Sequence, residues 1–494
     1  MVNMRAITKS IGTTASEKYL AQLCERSFLN LWSYPNVFRD QGRRNGKGDG
    51  KELCDLLVVC GNHIIIFSEK TIAFQDTGDI HVDWQRWFRE AIWKSAHTIR
   101  GAERWIIRSP NFLFLDPKCT QRFPLDFPES GLRQIHRVVV ARGAAVRCRQ
   151  WFGGRSGSLC IIPGIQSDCH TDPHCAGYQP FRIGDIDPNR GFVHVLDDVS
   201  LEILLTELDT ITDFINYLSR KEKFVRSGRL VFAAGEEELL AYYLRRVDEN
   251  GDHNFTSPSG YGAWRLNELV ILEGGLWDGT YSHPQYLAKK EADKISYLWD
   301  GLIARFTKHM LAGTTLTYSE NFDVRVHERG VRFMALEPRF RRRILAERIA
   351  STISRAPFDQ RVAGILVSQP GEPNAGTAYV HLQFPYIQEG SDSDYETYRQ
   401  LRISTLYGYC LSLKIEHPHL DRVIGVAAEP PDYDRHSQFS EDLMLVEGPW
   451  PEDLARQVAE LRQQLNILQE NTTRFTNFHA REYPDEPNPA PRKT

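Results

Sequence analysis

Lys51–Thr71 reads KELCDLLVVCGNHIIIFSEKT, and its pattern decides how the rest of the chain is read. Two apolar runs of strand length, Leu56–Cys60 and Ile64–Phe67, are separated by Gly61-Asn62-His63. Short dense apolar runs bounded by turn residues predict a hairpin buried on at least one face. Acids open the first run and Glu69-Lys70 closes the second. Charges at the ends of buried strands are costly unless they are paired, wet or bound to metal. Period-two alternation places Asp55, Leu57 and Val59 on one face with Ile64, Ile66, Ser68 and Lys70. Glu52 and Glu69 fall on the opposite parity, so Glu69 faces away from Asp55 unless a bulge re-aims it.

The chain has 494 residues, enough for two to four domains with ample core. Apolar residues make up 41% and charged residues 25%, values of an ordinary globular protein. The formal charge of -4 argues against a histone-like or tail-driven nucleic-acid binder and leaves a local basic groove open. Nine scattered Cys and no leading apolar segment favour a reducing cytoplasm over a disulfide framework. No run reaches the roughly 18 apolar residues of a membrane span, so no membrane partner is expected.

Upstream of the hairpin, Ser16–Trp32 carries Leu20, Leu23, Cys24, Phe28 and Leu31 at helical spacing, an amphipathic helix with Glu17 near its start. An acid there gains from the helix dipole whatever else it does. Arg39–Gly50 is a basic loop with Arg43, Arg44 and Lys47, either plain exposed surface or a rest for a phosphate backbone. Downstream, Asp83–Arg100 reads as a helix with a broad apolar face, and Trp105–Phe114 and Ile135–Val140 read as strands.

These readings divide the chain into an α/β region over 1–150, a Gly/Pro/Cys-rich connecting segment over 151–200, a mainly helical region over 201–350, a second, smaller α/β domain with a terminal helix over 351–483, and a disordered tail over 484–494. A helix is expected over Leu201–Arg220, and others at Glu236–Arg246, Ala288–His309 and Phe333–Ala350. Strands are expected at Val362–Ser368, Thr377–Phe384 and Arg422–Ala428, with helices at Tyr395–Lys414 and Leu454–Leu468. Cys169-His170 and His174-Cys175 are the one metal-like cluster, although adjacent pairs are poorly spaced for one zinc ion. The chain holds no G-x-S-x-G elbow, G-x-x-x-x-G-K-[ST] loop or H-E-x-x-H helix.

An acid at the front of one strand and an x-Lys ending on the next, with a Glu on the preceding helix, resembles the PD-(D/E)xK nuclease superfamily over about residues 10–110. The resemblance implies a restriction-endonuclease-like mixed sheet flanked by helices, and a metal-dependent endonuclease acting on nucleic acid, DNA in the first place. It matches Asp55 to the first acid, Lys70 to the lysine and Glu17 to the helix acid. Ser68 stands where the second acid belongs, and Glu69 sits one residue late. Either Glu69 or Ser68 with water therefore completes a shell for Mg²⁺ or Mn²⁺ with Asp55 and Glu17, or the site has lost catalysis and the protein binds nucleic acid or scaffolds. The large remainder implies sensing, specificity or assembly, through a homo-oligomer or a partner protein, as in bacterial defence nucleases. The bland reading is Asp55 at a strand end and Lys70 paired at the surface with Glu52 or Glu69, worth about 0–1 kcal/mol.

Overall fold

The computed structural model describes residues 5–46, 48–154, 156–248, 251–255, 269–316, 323–355, 357, 359–371, 374–386, 395–430, 440–469 and 480–484. Lys47 and most of the expected tail lie outside the described residues.

The hairpin forms as expected. Helix α1 (Ala15–Phe28) leads to β1 (Ser33–Arg39), a short helix α2 (Gln41–Arg44), β2 (Lys51–Cys60) and β3 (His63–Thr71). Helix α3 (Ile80–Phe88) runs through a π-turn at Arg89–Trp93 into α4 (Lys94–Arg108). Strands β4 (Leu113–Phe114) and β5 (Gln134–Arg142) and helix α5 (Ala145–Phe152) follow. The expected strand over Trp105–Phe114 is therefore mostly the end of a helix, with only two strand residues; a short apolar run does not distinguish the two.

After α5 come β6 (Cys160–Gln166), β7 (Arg182–Asp185) and β8 (Val193–Leu196). The first sheet has the order β4-β1-β2-β3-β5-β8. Strands β4, β1, β2 and β3 pair antiparallel in turn, while β5 and β8 run parallel to β3. Helix α4 packs over β2, β3 and β5. Phe67 of β3 points to the other face, its ring centroid 6.2 Å from that of Phe28 on α1.

Helices α6 (Ser200–Glu207) and α7 (Ile211–Arg226) replace the single helix expected over Leu201–Arg220. The break lies where Thr210, itself fully buried, caps α7 by accepting from the Asp213 N–H at 3.1 Å. Strand β9 (Leu230–Ala233), helix α8 (Glu236–Leu244) and strand β10 (Val270–Leu272) come next, and a second sheet forms in the order β10-β9-β6-β7. The stretch 151–200, expected as a connection, thus supplies strands to two sheets, and the region 201–350 contains two strands. Helices α9 (Leu276–Tyr281), α10 (Pro284–Asp293), α11 (Tyr297–Ala312), α12 (Val324–Ala335) and α13 (Arg339–Arg355) complete the middle.

The C-terminal unit has β11 (Val362–Val367), β12 (Thr377–Gln383), α14 (Tyr395–Glu416), β13 (Arg422–Ala428), β14 (Glu441–Glu447) and α15 (Leu454–Leu465). Its sheet has the order β11-β12-β13-β14, with only β12 and β13 parallel. Strand β14 has no sequence-based counterpart. Tyr379, Ile424 and Val426 on this sheet join the core that runs back to the first sheet, whereas its other face packs a separate cluster around Leu406, Cys410 and Leu413 of α14.

Cys169 and Cys175 form a disulfide, and the other seven cysteines are free, most of them buried. One disulfide among nine cysteines is no framework, but the metal-like reading of the cluster loses both its thiolates. His170 is buried beside it, with Nδ1 2.7 Å from the Ser167 carbonyl and Nε2 accepting from the Gly184 N–H at 3.0 Å. Among the described residues no helix is long and apolar enough to cross a membrane.

Candidate functional site

The first sheet splits where the charged residues begin. Pairing of β2 with β3 runs from Cys60↔His63 to Leu56↔Phe67 and stops. Beyond that point β2 stays with β1 as far as Arg39↔Lys51, while β3 stays with β5 as far as Thr71↔Arg142. The two strands diverge as a fork, and Asp55 is the first unpaired residue on its β2 arm.

The Asp55 carboxylate accepts the Glu69 main-chain N–H at 2.6 Å, which ties the two arms together at the crotch. Burial pushes the Asp55 carboxyl up to about 6. The Glu69 N–H and Ser68 hydroxyl oppose this shift, while the charges of Glu52 and Glu17 add to it. Ser68 is buried, and Lys70 is half-buried one turn of the pleat further out. Asp55, Ser68 and Lys70 share the face covered by α4, as alternation requires. Glu90 of the π-turn lies on that side. Its carboxyl is held low chiefly by the hydrogen bond from Lys94, at 2.6 Å, and the Lys70 ammonium acts in the same direction.

Glu69 does not swing round. The β3–β5 register is unbroken from His63 to Thr71, so no bulge re-aims it. Its side chain is buried toward α1, where Oε2 accepts from the Ser16 hydroxyl at 2.9 Å and Oε1 from the Thr71 hydroxyl at 2.7 Å. Arg142 Nε stands 3.5 Å from Oε1, and the Arg142 guanidinium lies over the Tyr19 ring.

Glu17 has a structural task as well as a position near the fork. It is the third residue of a capping box at the start of α1. Its N–H donates to the Thr14 hydroxyl at 3.1 Å, and its Oε2 accepts the Thr13 N–H at 2.8 Å and the Thr14 N–H at 3.4 Å. The Thr14-x-x-Glu17 signature is visible in the sequence. Glu17 also accepts from Asn36 Nδ2 at 3.1 Å, and the same nitrogen donates to Glu52 Oε1 at 2.7 Å. Burial costs Glu17 some charge stability, but these hydrogen bonds outweigh it and lower its pKa. Glu52 goes the other way: burial raises it, Asn36 opposes, and Glu17 adds repulsion.

Asn36 and Glu52 are the residues that sequence reasoning missed here. Asn36 is buried in the left-handed region at φ 47°, on β1 opposite Asp55, between the pairs Pro35↔Leu56 and Val37↔Cys54. Ser10 donates to its Oδ1 at 2.8 Å, so both ends of the amide are satisfied. Asn tolerates this backbone better than most residues, which was the one available signal.

The basic loop residues lie at the same end of the sheet. Arg43 and Arg44 are exposed, and Arg44 pairs with Asp40 at 2.7 Å. Among the described residues no three His, Cys, Asp or Glu side chains already converge as a metal-binding group. Comparison with protein-family models, curated proteins and solved structures finds no match to this chain.

Proposed function

We propose that this protein is a metal-dependent endonuclease of the PD-(D/E)xK kind, hydrolysing phosphodiester bonds in nucleic acid, DNA in the first place, at the fork between β2 and β3. The observation that carries the reading is Asp55: a carboxylate pushed up to about 6, in a split of the sheet, with the Ser68-x-Lys70 arm on its own face. A carboxyl whose charge is disfavoured by burial and by two neighbouring acids, set in a split of the sheet, is of the kind that clusters at functional sites. The order helix, three antiparallel strands, helix, then a strand parallel to the third supports the restriction-endonuclease-like architecture.

The donors at the fork are all oxygen, the kind that Mg²⁺ or Mn²⁺ takes. Asp55 would hold the ion with water, Ser68 and the Glu17 or Glu52 carboxylate, and the repulsion that Glu52 and Glu17 exert on Asp55 is the electrostatic condition for it. When bound, the ion polarises a phosphoryl oxygen and acidifies water. Lys70 then orients the attacking water, or balances charge that builds on the phosphate. Glu69 contributes its main-chain N–H, which positions Asp55, rather than its carboxylate.

Glu69's engagement with Ser16, Thr71 and Arg142 favours a second reading: a degenerate fork that binds nucleic acid or scaffolds without cutting it. Plasmid, linear duplex and single-stranded DNA, each incubated with the full chain and Mg²⁺ or Mn²⁺, separate the two. The nuclease reading expects cleavage that falls by roughly 100-fold or more in both Asp55→Ala and Lys70→Ala. Cleavage retained in both variants removes this site from the reaction, and no cleavage by the unaltered chain with either metal leaves the degenerate reading.

A further inference from the structure

Beside the fork, cations and aromatic rings alternate along one edge of the molecule. The Arg39 guanidinium lies over the Trp105 ring at 5.3 Å, and the Arg44 guanidinium over the Phe112 ring at 3.9 Å. Trp105 Nε1–H donates to the Phe112 carbonyl at 3.3 Å, which joins the two pairs into one ladder. Its elements meet because β4, which begins right after Phe112, pairs with Phe38 and Arg39 at the end of β1. Phe38 pairs in turn with Glu52 on the β2 arm of the fork, so ladder and fork share one end of the sheet.

Two features of the ladder exceed what edge protection requires. Phe112 is 39% exposed and the Arg44 side chain 46%, so this stacked pair is open to solvent. Positive charge also accumulates there. Arg43 and Arg104 are exposed, and Arg39 has its Nε buried with no hydrogen-bond partner. Burial and the nearby Arg104 guanidinium both push the Arg39 pKa down. Asp40 answers Arg44, and Asp49 and Asp116 stand near Arg43, so the four guanidinium groups outnumber these acids by one.

We infer that the Arg39–Trp105–Phe112–Arg44 ladder is a docking platform for an unpaired polynucleotide strand, delivering it to the fork. This rests on the nuclease reading only for what happens after docking. Phosphates are met by Arg43 and Arg104, and bases stack on Phe112 and on the Arg44 guanidinium plane. Stacking of this kind rewards a base whose face is free and is indifferent to its identity. A duplex has already covered those faces, so a phosphate-only surface would have no use for exposed rings.

Fluorescence anisotropy of the full chain in EDTA tests the platform without any cleavage. Labelled oligo-dT, oligo-rU and a blunt duplex of equal length serve as probes. Either single strand is expected to bind at least tenfold more tightly than the duplex. Phe112→Ala is expected to weaken that binding by roughly 5- to 150-fold, the loss of about one stacked base, while Phe112→Tyr keeps it. Arg43→Ala should weaken binding and flatten its salt dependence by about one phosphate. Thermal melting checks that each variant is folded. Equal or tighter duplex binding, no binding of either strand, or an unchanged affinity in folded Phe112→Ala overturns the inference. Because no metal is present, a nuclease reading that fails leaves these outcomes intact, and an inference that fails here leaves cleavage to be judged separately.

Discussion

At the scale of single residues, the fork is a place where the fold accepts a cost. The Asp55 pKa is raised to about 6, from 3.8, mainly by burial. Below pH 3.8 the residue is protonated in both folded and unfolded chains and costs nothing. Between pH 3.8 and 6 the unfolded chain ionises first, so the penalty grows as pH rises, and above 6 it is fully present. Asp55→Asn in EDTA is therefore expected to stabilise the protein by about 2–3 kcal/mol at pH 8, with the gain fading toward pH 4. Urea unfolding at both pH values measures this, and equal stabilities at pH 8 would contradict the burial argument. Asp55 and Lys70 were legible because alternation along a strand is a local property. Asn36 and Glu52 were not, because β1 brings Asn36 opposite Asp55 only through pairing across the sheet. Glu69 lay between: parity already pointed it away, and the unbroken β3–β5 register keeps it there.

At the scale of elements, the legible ones are those whose apolar spacing is long or whose turns are explicit. The hairpin, β5, β12 and β13 all lie where the pattern put them. The end of α4 was read as strand because its few apolar residues fit either period, and β14 (EDLMLVE) was missed because acids flank a short run. The fork itself has no sequence signature, since it consists of where pairing stops. Its β3 arm depends on the turn that follows β5. Gly143 has φ +104°, and a Cβ there would stand 2.2 Å from the Ile72 carbonyl oxygen, just past the end of β3. Its N–H donates to Asp198 at 2.8 Å. An alanine must both strain the backbone and push that carbonyl aside, so Gly143→Ala is expected to cost on the order of 2–4 kcal/mol. Chemical denaturation reads this directly, and a loss under about 0.5 kcal/mol would mean the turn relaxes freely.

At the scale of the whole molecule, the question is how the C-terminal unit is coupled to the first sheet, and α12 and α13 carry the connection. Trp32 at the start of the first sheet donates its indole N–H to Glu328 of α12 at 2.6 Å. The far side of the same helix meets the C-terminal sheet, with Gly330 against Leu443 and Leu445. Between α12 and α13, buried Glu337 accepts from the Tyr379 hydroxyl at 2.7 Å and from Asn374 at 2.9 Å. None of these partners is near the other in sequence, which is why the coupling could not be read from the chain. Tyr379 also packs edge-on against Trp299 and belongs to the core that reaches back to the hairpin. Tyr379→Phe keeps that packing but leaves one buried Glu337 oxygen without its donor, a loss of about 1–3 kcal/mol. Because the core is continuous, the loss should lower the midpoint of one shared unfolding transition rather than detach the C-terminal unit. Differential scanning calorimetry distinguishes the two: a second, earlier transition in Tyr379→Phe would show that β11–β14 unfold independently of the fork.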